Sequence, residues 1–457
     1  MKAWNQIVAS LRLPPPSKID ARISFEIGFR IVSQLKVYRK ELPGYRFVDV
    51  YRATEEYSRS YRNVIILESE HDEDLTSLLH GKRPQWPSRK MKTPSSVPWA
   101  TGPGEESYLP IERFWLCRPA LPDQRACFIL RVRHQAYLDR TCLEAAFDDA
   151  AAGEACVEAI VRRSSDASIY RNKIIEVTFD PGVKDEYGDV ERTERFNILF
   201  KAEEPVDDDD IVMDGEIRDI LWRNVIELHI KREVLKAHGV PLRRGVLLYG
   251  PPGTGKTFAC RYLCGKLPHT TRIIASGTTL PRVKSIFNLA RMLQPSLVIL
   301  EDVDLVFASR EVNLYSSVLG DLLDQMDGLR PHEDVSVVLT TNSIERLEPA
   351  IKDRPGRISQ CIHFGPPNDA LRKQYLIRYL RSYTAPELNI EDLVMLSKGA
   401  TQAFLKEWVH RSVQIAVGQL TNPEQQLQLS NDDFQRAMQE MRKFSEGSTS
   451  RIVGFHT

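Results

Sequence analysis

The chain has 457 residues, of which 42% are hydrophobic and 27% charged, with 62 Lys plus Arg set against 62 Asp plus Glu. That length exceeds one ordinary core and implies roughly two to four domains, while the even charge balance argues against a global field aimed at nucleic acid or an acidic membrane. No stretch approaches the ~20 apolar residues of a membrane span, and Met1 to Leu13 lacks a signal-peptide core, so a soluble, cytoplasmic protein without a membrane span is expected. Seven cysteines, at 117, 127, 142, 156, 260, 264 and 361, form no Cys-x-x-Cys pair and predict reduced thiols.

Taken in chain order, Ile23, Ile27, Ile31 and Leu35 recur at near-helical spacing and predict a helix within 21–41, ending before Pro43-Gly44. Arg46–Tyr51 and Val64–Leu67 read as strands. The segment from about 80 to 106, rich in Pro, Ser, Gly and Lys, predicts an exposed loop. Beyond it, Cys127–Val132 reads as a strand, Cys142–Val161 as a helix, and Ile174–Phe179 and Phe196–Phe200 as strands. An α+β amino-terminal domain over 1–200 follows.

Asp207–Asp210 is too acidic to bury and marks a boundary. After it, Ile217, Ile220, Leu221, Val225 and Leu228 share a helical face, with Asp214 placed to cap it. Short apolar runs then alternate with helical segments: Gly245–Tyr249, Leu297–Leu300 and Val335–Leu339. Buried parallel strands read this way, so 205–367 is expected to be an α/β domain. Residues 368–445 read as wholly helical, and 446–457 as a tail.

Residues 250–257 spell Gly-Pro-Pro-Gly-Thr-Gly-Lys-Thr, a complete Gly-x-x-x-x-Gly-Lys-[Ser/Thr] phosphate loop between an apolar strand and a helix candidate, Thr257–Leu267. Glycines allow backbone angles and close approach that side chains forbid, and successive N–H groups at a helix start hold phosphates. Gly250, Pro251, Pro252, Gly253, Thr254, Gly255, Lys256, Thr257 and Phe258 are therefore expected against ATP. Lys256 would reach the β- and γ-phosphates, and Thr257 would offer its hydroxyl to Mg²⁺.

Leu297–Leu300 runs into Glu301-Asp302, a buried strand delivering two carboxylates. By position Glu301 would hold Mg²⁺ through its water shell and Asp302 would polarise the attacking water. Asp304 reads as a solvated helix-capping acid. Asn342, at the end of Val335–Leu339-Thr340-Thr341, could orient water near the γ-phosphate. Arg354 and Arg357, on Arg-Pro-Gly-Arg, could stabilise transition-state charge, in an oligomer within a neighbour's site.

Gly245–Thr257, Leu297–Asp304, Leu322–Leu329, Thr340–Asn342 and Leu347–Arg357 together resemble the AAA family of ring-forming ATPases, over about 205–440. The Glu-Asp order at 301–302 and the approach Tyr170-Arg171-Asn172-Lys173 resemble the Bcs1-like branch and related bacterial proteins. The resemblance implies a P-loop NTPase parallel sheet with a helical AAA lid at 368–445, and a homo-oligomeric hexameric or heptameric ring. It also implies Arg354 and Arg357 acting in trans, and Ile211, Val212, Gln402 and Ala403 near adenine.

Peptide-threading relatives carry a longer, aromatic insertion where this chain has only Thr278–Ser285, with Leu280, Pro281 and Arg282. His332-Glu333 fails the zinc-protease pattern because position 336 is Ser. Cys260 and Cys264 read as packing on the phosphate-loop helix. Lys82, Arg83, Trp86, Arg89, Lys90, Lys92 and Trp99 could grip nucleic acid, though a basic loop with packing tryptophans is favoured. The expected function is a chaperone-like ATPase that remodels a protein client chosen by 1–200, without aromatic threading. The alternatives are an ATP-controlled assembly with slow turnover and a nucleic-acid-stimulated ATPase.

Overall fold

The computed structural model describes residues 18–61, 63–69, 73–81, 95–118, 128–180, 182–184, 190–192, 194–202, 211–308, 312–330, 333–347, 358–385, 388–420 and 427–443. The chain forms two compact units, residues 1–171 with 177–202 and residues 172–176 with 203–457.

In the amino-terminal unit the chain order is α1 (Ile19–Ile27), α2 (Phe29–Val32), β1 (Lys36–Pro43), α3 (Phe47–Arg59), β2 (Asn63–Leu67) and α4 (Leu75–His80), then β3 (Ser96–Gly102), β4 (Glu105–Pro110), β5 (Glu112–Arg118), β6 (Phe128–Gln135), β7 (Arg140–Phe147) and α5 (Ala150–Asp166). Five antiparallel strands lie in the order β1-β7-β6-β5-β2. Alternation along β5 and β6 sends Trp115, Cys117, Phe128 and Leu130 to α3 and α5. Phe114, Leu116 and Ile129 go to the face covered by α1 and α4. Both faces are buried, which explains the near-continuous apolar runs.

Three expectations change here. Arg46–Tyr51 is not a strand: Phe47–Arg59 is a helix that buries Phe47, Val48, Val50, Tyr51 and Ala53. Both periods fit a six-residue window, and tertiary packing decides between them. The helix expected over Cys142–Val161 is a strand up to Phe147 and a helix only from Ala150, where Asp149 accepts a hydrogen bond from Ala152 N at 3.2 Å. The run Cys142–Phe147 has no polar face to give water, so it sits between β1 and β6. The helix expected across 21–41 ends at Gly28, with a second turn to Val32, and Lys36–Pro43 is the edge strand β1. Finally, 96–110 is a hairpin rather than loop, while 82–94 lies outside the described residues. Trp99 stacks on Phe47 and His134 with centroids 4.6 and 4.9 Å apart, a packing role.

Strand β8 (Ile174–Asp180) begins in the second unit, and the short β9 (Val183–Lys184) and β10 (Val190–Arg192) and the longer β11 (Arg195–Lys201) follow it. The second unit continues with α6 (Gly215–Leu221), a π-helical stretch Trp222–Ile226, α7 (Glu227–Ile230), α8 (Arg232–Ala237), β12 (Arg244–Tyr249), α9 (Lys256–Lys266) and β13 (Thr271–Ser276). Then come α10 (Val283–Met292), β14 (Ser296–Glu301), α11 (Val312–Asp327), β15 (Val335–Thr341) and β16 (Gln360–His363). Its strands run β8-β13-β14-β15-β12-β16, and the pairs from β13 to β16 are parallel. Strand β14 is central, and Leu297, Val298, Ile299 and Leu300 are fully buried. The α/β reading therefore holds, with β13 and β16 added to the three strands legible beforehand. Asp214 caps α6 as expected, its carboxylate accepting from Glu216 N at 2.9 Å.

Beyond Pro367 the described chain is helical apart from one bridge, Thr384 to Gln428. It comprises α12 (Asp369–Leu380), α13 (Ile390–Leu396), α14 (Gln402–Gly418) and α15 (Asn431–Lys443). Asn368, Asn389 and Thr401 cap the first three. Their core centres on Trp408, which donates to Phe434 O at 2.8 Å. Cys117, Cys142, Cys156, Cys260, Cys264 and Cys361 are all free. No helix among the described residues is long and apolar enough to cross a membrane.

Candidate nucleotide site

The site forms at the carboxyl ends of β12, β14 and β15, where loops leave a parallel sheet and helix starts point back at it. Between β12 and α9, three glycines adopt positive φ: Gly250 at 144°, Gly253 at 77° and Gly255 at 103°. At Gly250 the requirement is steric as well, since a Cβ would lie 2.1 Å from Phe364 O. The loop wraps a space that Lys256 points into. Its ammonium is buried and donates to the loop's own carbonyls, Gly250 O at 2.7 Å and Pro251 O at 2.9 Å. Burial lowers the Lys256 pKa, while Asp302 and Asp304 pull it back up. A cation held only by peptide carbonyls and distant carboxylates is a ready partner for phosphate oxygens.

Thr257, at the second position of α9, hydrogen-bonds the Glu301 carboxylate at the end of β14. Burial raises the Glu301 pKa, the charge of Asp302 adds to this, and the Thr257 hydroxyl opposes it. A hydroxyl and a carboxylate joined in this way are hard oxygen donors of the kind Mg²⁺ takes, so the residues fit the metal. Among the described residues no cluster of three His, Cys, Asp or Glu offers an alternative metal site.

Asp302 is held from several sides. Its φ is 50°, a left-handed conformation uncommon outside glycine. Its N–H donates to Thr340 Oγ1 at 2.9 Å, its carbonyl accepts from Leu305 N at 2.9 Å, and its carboxylate accepts from Asn342 Nδ2 at 3.3 Å. Asp304 is not the solvated cap expected of it. Its Oδ1 accepts from Thr341 Oγ1 at 3.0 Å and Asn342 N at 3.1 Å, tying the end of β15 to the turn after β14. The signal for this was the position alone, three residues past Glu301, and only the pairing of β14 with β15 reveals the partner.

Beside the loop opens a cleft of about 330 Å³, within the usual size of small-molecule sites. Val212, Met213, Asp214, Glu216, Ile217, Thr254, Gly255, Phe258, His363, Phe364, Gly365, Pro366, Pro367, Asn368, Leu371, Tyr375 and Gln402 line it. Val212 O accepts from Tyr375 OH at 2.6 Å, which fixes one wall. Ile211 packs towards the core around Val246 and Leu248 and is not among the lining residues. Ala403 is likewise absent from the lining, but its N–H donates to Gly253 O at 3.0 Å. Met213, Ile217, His363, Leu371 and Tyr375 went unseen in the sequence, because they come from four separate elements and share no motif.

Residues 278–282 fall within a 3-10 turn, Gly277–Arg282, with Leu280 buried at 3% exposure, so it cannot serve as a protruding grip. Arg354 and Arg357 lie outside the described residues, as do His332 and the basic segment 82–92. Cys260 and Cys264 are packed in the core beneath the sheet, and burial raises the Cys260 pKa well above its ordinary value.

Comparison with known proteins agrees with this geometry. Residues 246–366 match the family described as "ATPase family associated with various cellular activities (AAA)". The chain is 31% identical over 251 residues to the 26S proteasome regulatory subunit 8 homolog of Encephalitozoon cuniculi, covering 50% of this chain and 61% of that protein. It is 33% identical over 260 residues to the 26S proteasome regulatory subunit 8 of Dictyostelium discoideum, covering 52% and 62%. The counterpart in Schizosaccharomyces pombe is 30% identical over 246 residues, covering 50% and 58%. The chain thus spans about three-fifths of the length of these relatives.

Proposed function

We propose, taking the AAA ATPase domain at 246–366 as the premise, that this chain hydrolyses ATP in a ring of its own copies and uses the energy to remodel a protein client. The observation that carries the hydrolytic part is the meeting of two arrangements beside one glycine loop: Thr257 hydrogen-bonded to Glu301, and Asn342 hydrogen-bonded to Asp302. Lys256 turns from the carbonyls of Gly250 and Pro251 to the phosphates, and the loop N–H groups hold the same oxygens. Thr257 and Glu301 hold Mg²⁺, which offsets phosphate charge when bound. Asp302 orients and polarises the attacking water, with Asn342 fixing its carboxylate. Arg354 and Arg357 serve a neighbouring subunit's site.

Remodelling is supported by the relatives, which are proteasomal regulatory subunits, and client choice is assigned to residues 1–200. The relatives do not bear on the narrower Bcs1-like placement, which rests on the Glu301-Asp302 order and the segment Tyr170–Lys173. The buried Leu280 turn supports remodelling without aromatic threading. Asp302 also favours a second reading, an assembly switched by ATP with slow turnover. Its side chain is one methylene shorter than glutamate and is tethered to Asn342.

Steady-state hydrolysis with and without captured client separates the two readings. The experiment starts from an Asp302→Asn chain held in ATP and used to retrieve partners. A Lys256→Ala chain that hydrolyses ATP at the wild-type rate overturns the site itself. Retrieval of nucleic acid alone, with stimulation that fades as salt rises, overturns protein remodelling.

A further inference from the structure

Helix α14 starts on the phosphate loop. Thr401 caps it, its hydroxyl accepting from Phe404 N at 3.4 Å, and Ala403 N–H donates to Gly253 O at 3.0 Å. The approach needs glycine: a Cβ at position 253 would stand 2.9 Å from Ala403 Cβ and 3.1 Å from Thr401 Oγ1. The next contact is made by a side chain. A Cβ on Gly255 would stand 2.5 Å from Gln402 Oε1, so the carboxamide lies against the residue immediately before Lys256. Gln402 also lines the cleft and shares a hydrogen bond with Tyr379 of α12. The resemblance had implied a place near adenine, yet these contacts set the carboxamide at the phosphate end.

We propose that Gln402, steadied by Tyr379, is a ligand of the nucleotide's phosphate chain carried on the helical lid. The assignment rests on reading the cleft as the ATP site. A carboxamide has two N–H donors, turns freely about its last torsion, and is neutral, so it can serve an anion seated on Gly255 without adding charge. Coupling is reciprocal: whatever affinity the phosphates gain from Gln402, they return as tighter docking of α14 on the loop. Tyr379 is the positioning residue, holding the amide from the neighbouring helix.

The test is calorimetric binding of Mg-ADP and of a non-hydrolysable ATP analogue to the full chain and to Gln402→Glu, Gln402→Ala and Tyr379→Phe. Loss of one hydrogen bond to a charged oxygen predicts affinity about tenfold lower in Gln402→Ala. Gln402→Glu has the same shape and puts a carboxylate against phosphate. It should lose more than Gln402→Ala, with the excess shrinking as salt rises. Tyr379→Phe should weaken binding in the wild-type background and not in Gln402→Ala, the signature of a residue acting through another. Gln402→Glu with an unchanged melting temperature and affinity within about twofold of wild type overturns the assignment. A wild-type chain that binds neither nucleotide overturns the cleft reading and this assignment together.

Discussion

The backbone of Asp302 is the most tightly held part of the site, and Gly277→Ala tests what that holding is for. Gly277 opens the turn after β13, and a Cβ there would lie 2.2 Å from Asp302 O, 3.0 Å from its carbonyl carbon and 3.4 Å from Leu305 Cβ. Reaching van der Waals contact requires an opening of about 1 Å. Asp302 cannot rotate away, because its N–H is bound to Thr340 Oγ1 and its carbonyl to Leu305 N, both at 2.9 Å. Its left-handed φ of 50° already stores strain, about 1–3 kcal/mol for such residues, that these anchors restrain. The displacement therefore passes to the carboxylate and the water it orients, and a misplacement of about 1 Å can cost on the order of a hundredfold in rate. Gly277 lies outside the phosphate loop, so nucleotide affinity should stay within about twofold. The assay is steady-state ATP hydrolysis, with analogue binding and melting temperature measured in parallel. A folded Gly277→Ala chain with wild-type kcat, or one whose loss lies wholly in KM, refutes the reasoning.

Thr340→Val leaves the Asp302 N–H without its acceptor. It should cost about 1–3 kcal/mol of stability by denaturant titration and lower kcat more than it raises KM. Arg131 is fully buried in the amino-terminal unit between Glu112 and Glu144, 2.9 Å from Glu144 Oε2. Arg131→Leu strands two buried carboxylates, and should destabilise that unit by about 3–5 kcal/mol in the same measurement. His229 is buried and its pKa is pushed down to about 4 by desolvation, with Arg232 adding to the effect. It is neutral in the fold, and the unfolded chain takes its proton first as pH falls below its ordinary value of 6.5. The stability tied to this group is present above that value and lost as pH drops towards 4, about 2 kcal/mol by pH 5. Denaturation of His229→Gln at pH 7 and pH 5 should show a shallower acid loss than wild type.

What was legible in the sequence is the chemistry that depends on short, contiguous runs. The phosphate loop between an apolar strand and a helix, and the two carboxylates after Leu297–Leu300, are local patterns whose spacing dictates where their atoms go. The lid core around Trp408 and the cap at Asp214 were readable for the same reason: helical periodicity and capping operate within one element. The amino-terminal unit was read less well. Phe47–Arg59 and Arg140–Phe147 carry apolar residues on nearly every position, and such runs satisfy a buried helix or a buried strand equally.

Asp304 and Gln402 mark the limit of that reading. Asp304 looks like any acid at a helix start until β15 lies beside β14 and brings Thr341 and Asn342 to it. Gln402 and Gly255 are 147 positions apart, and nothing local to either foretells their contact. The sequence by itself determined that this chain carries a phosphate loop and a pair of acids on parallel strands, because backbone conformation and burial there follow from neighbours along the chain. Only the tertiary structure decided how Asp302 is braced, which residues wall the cleft and what the lid lays on the loop. Those contacts join residues that only the packing of sheet and helices brings within reach.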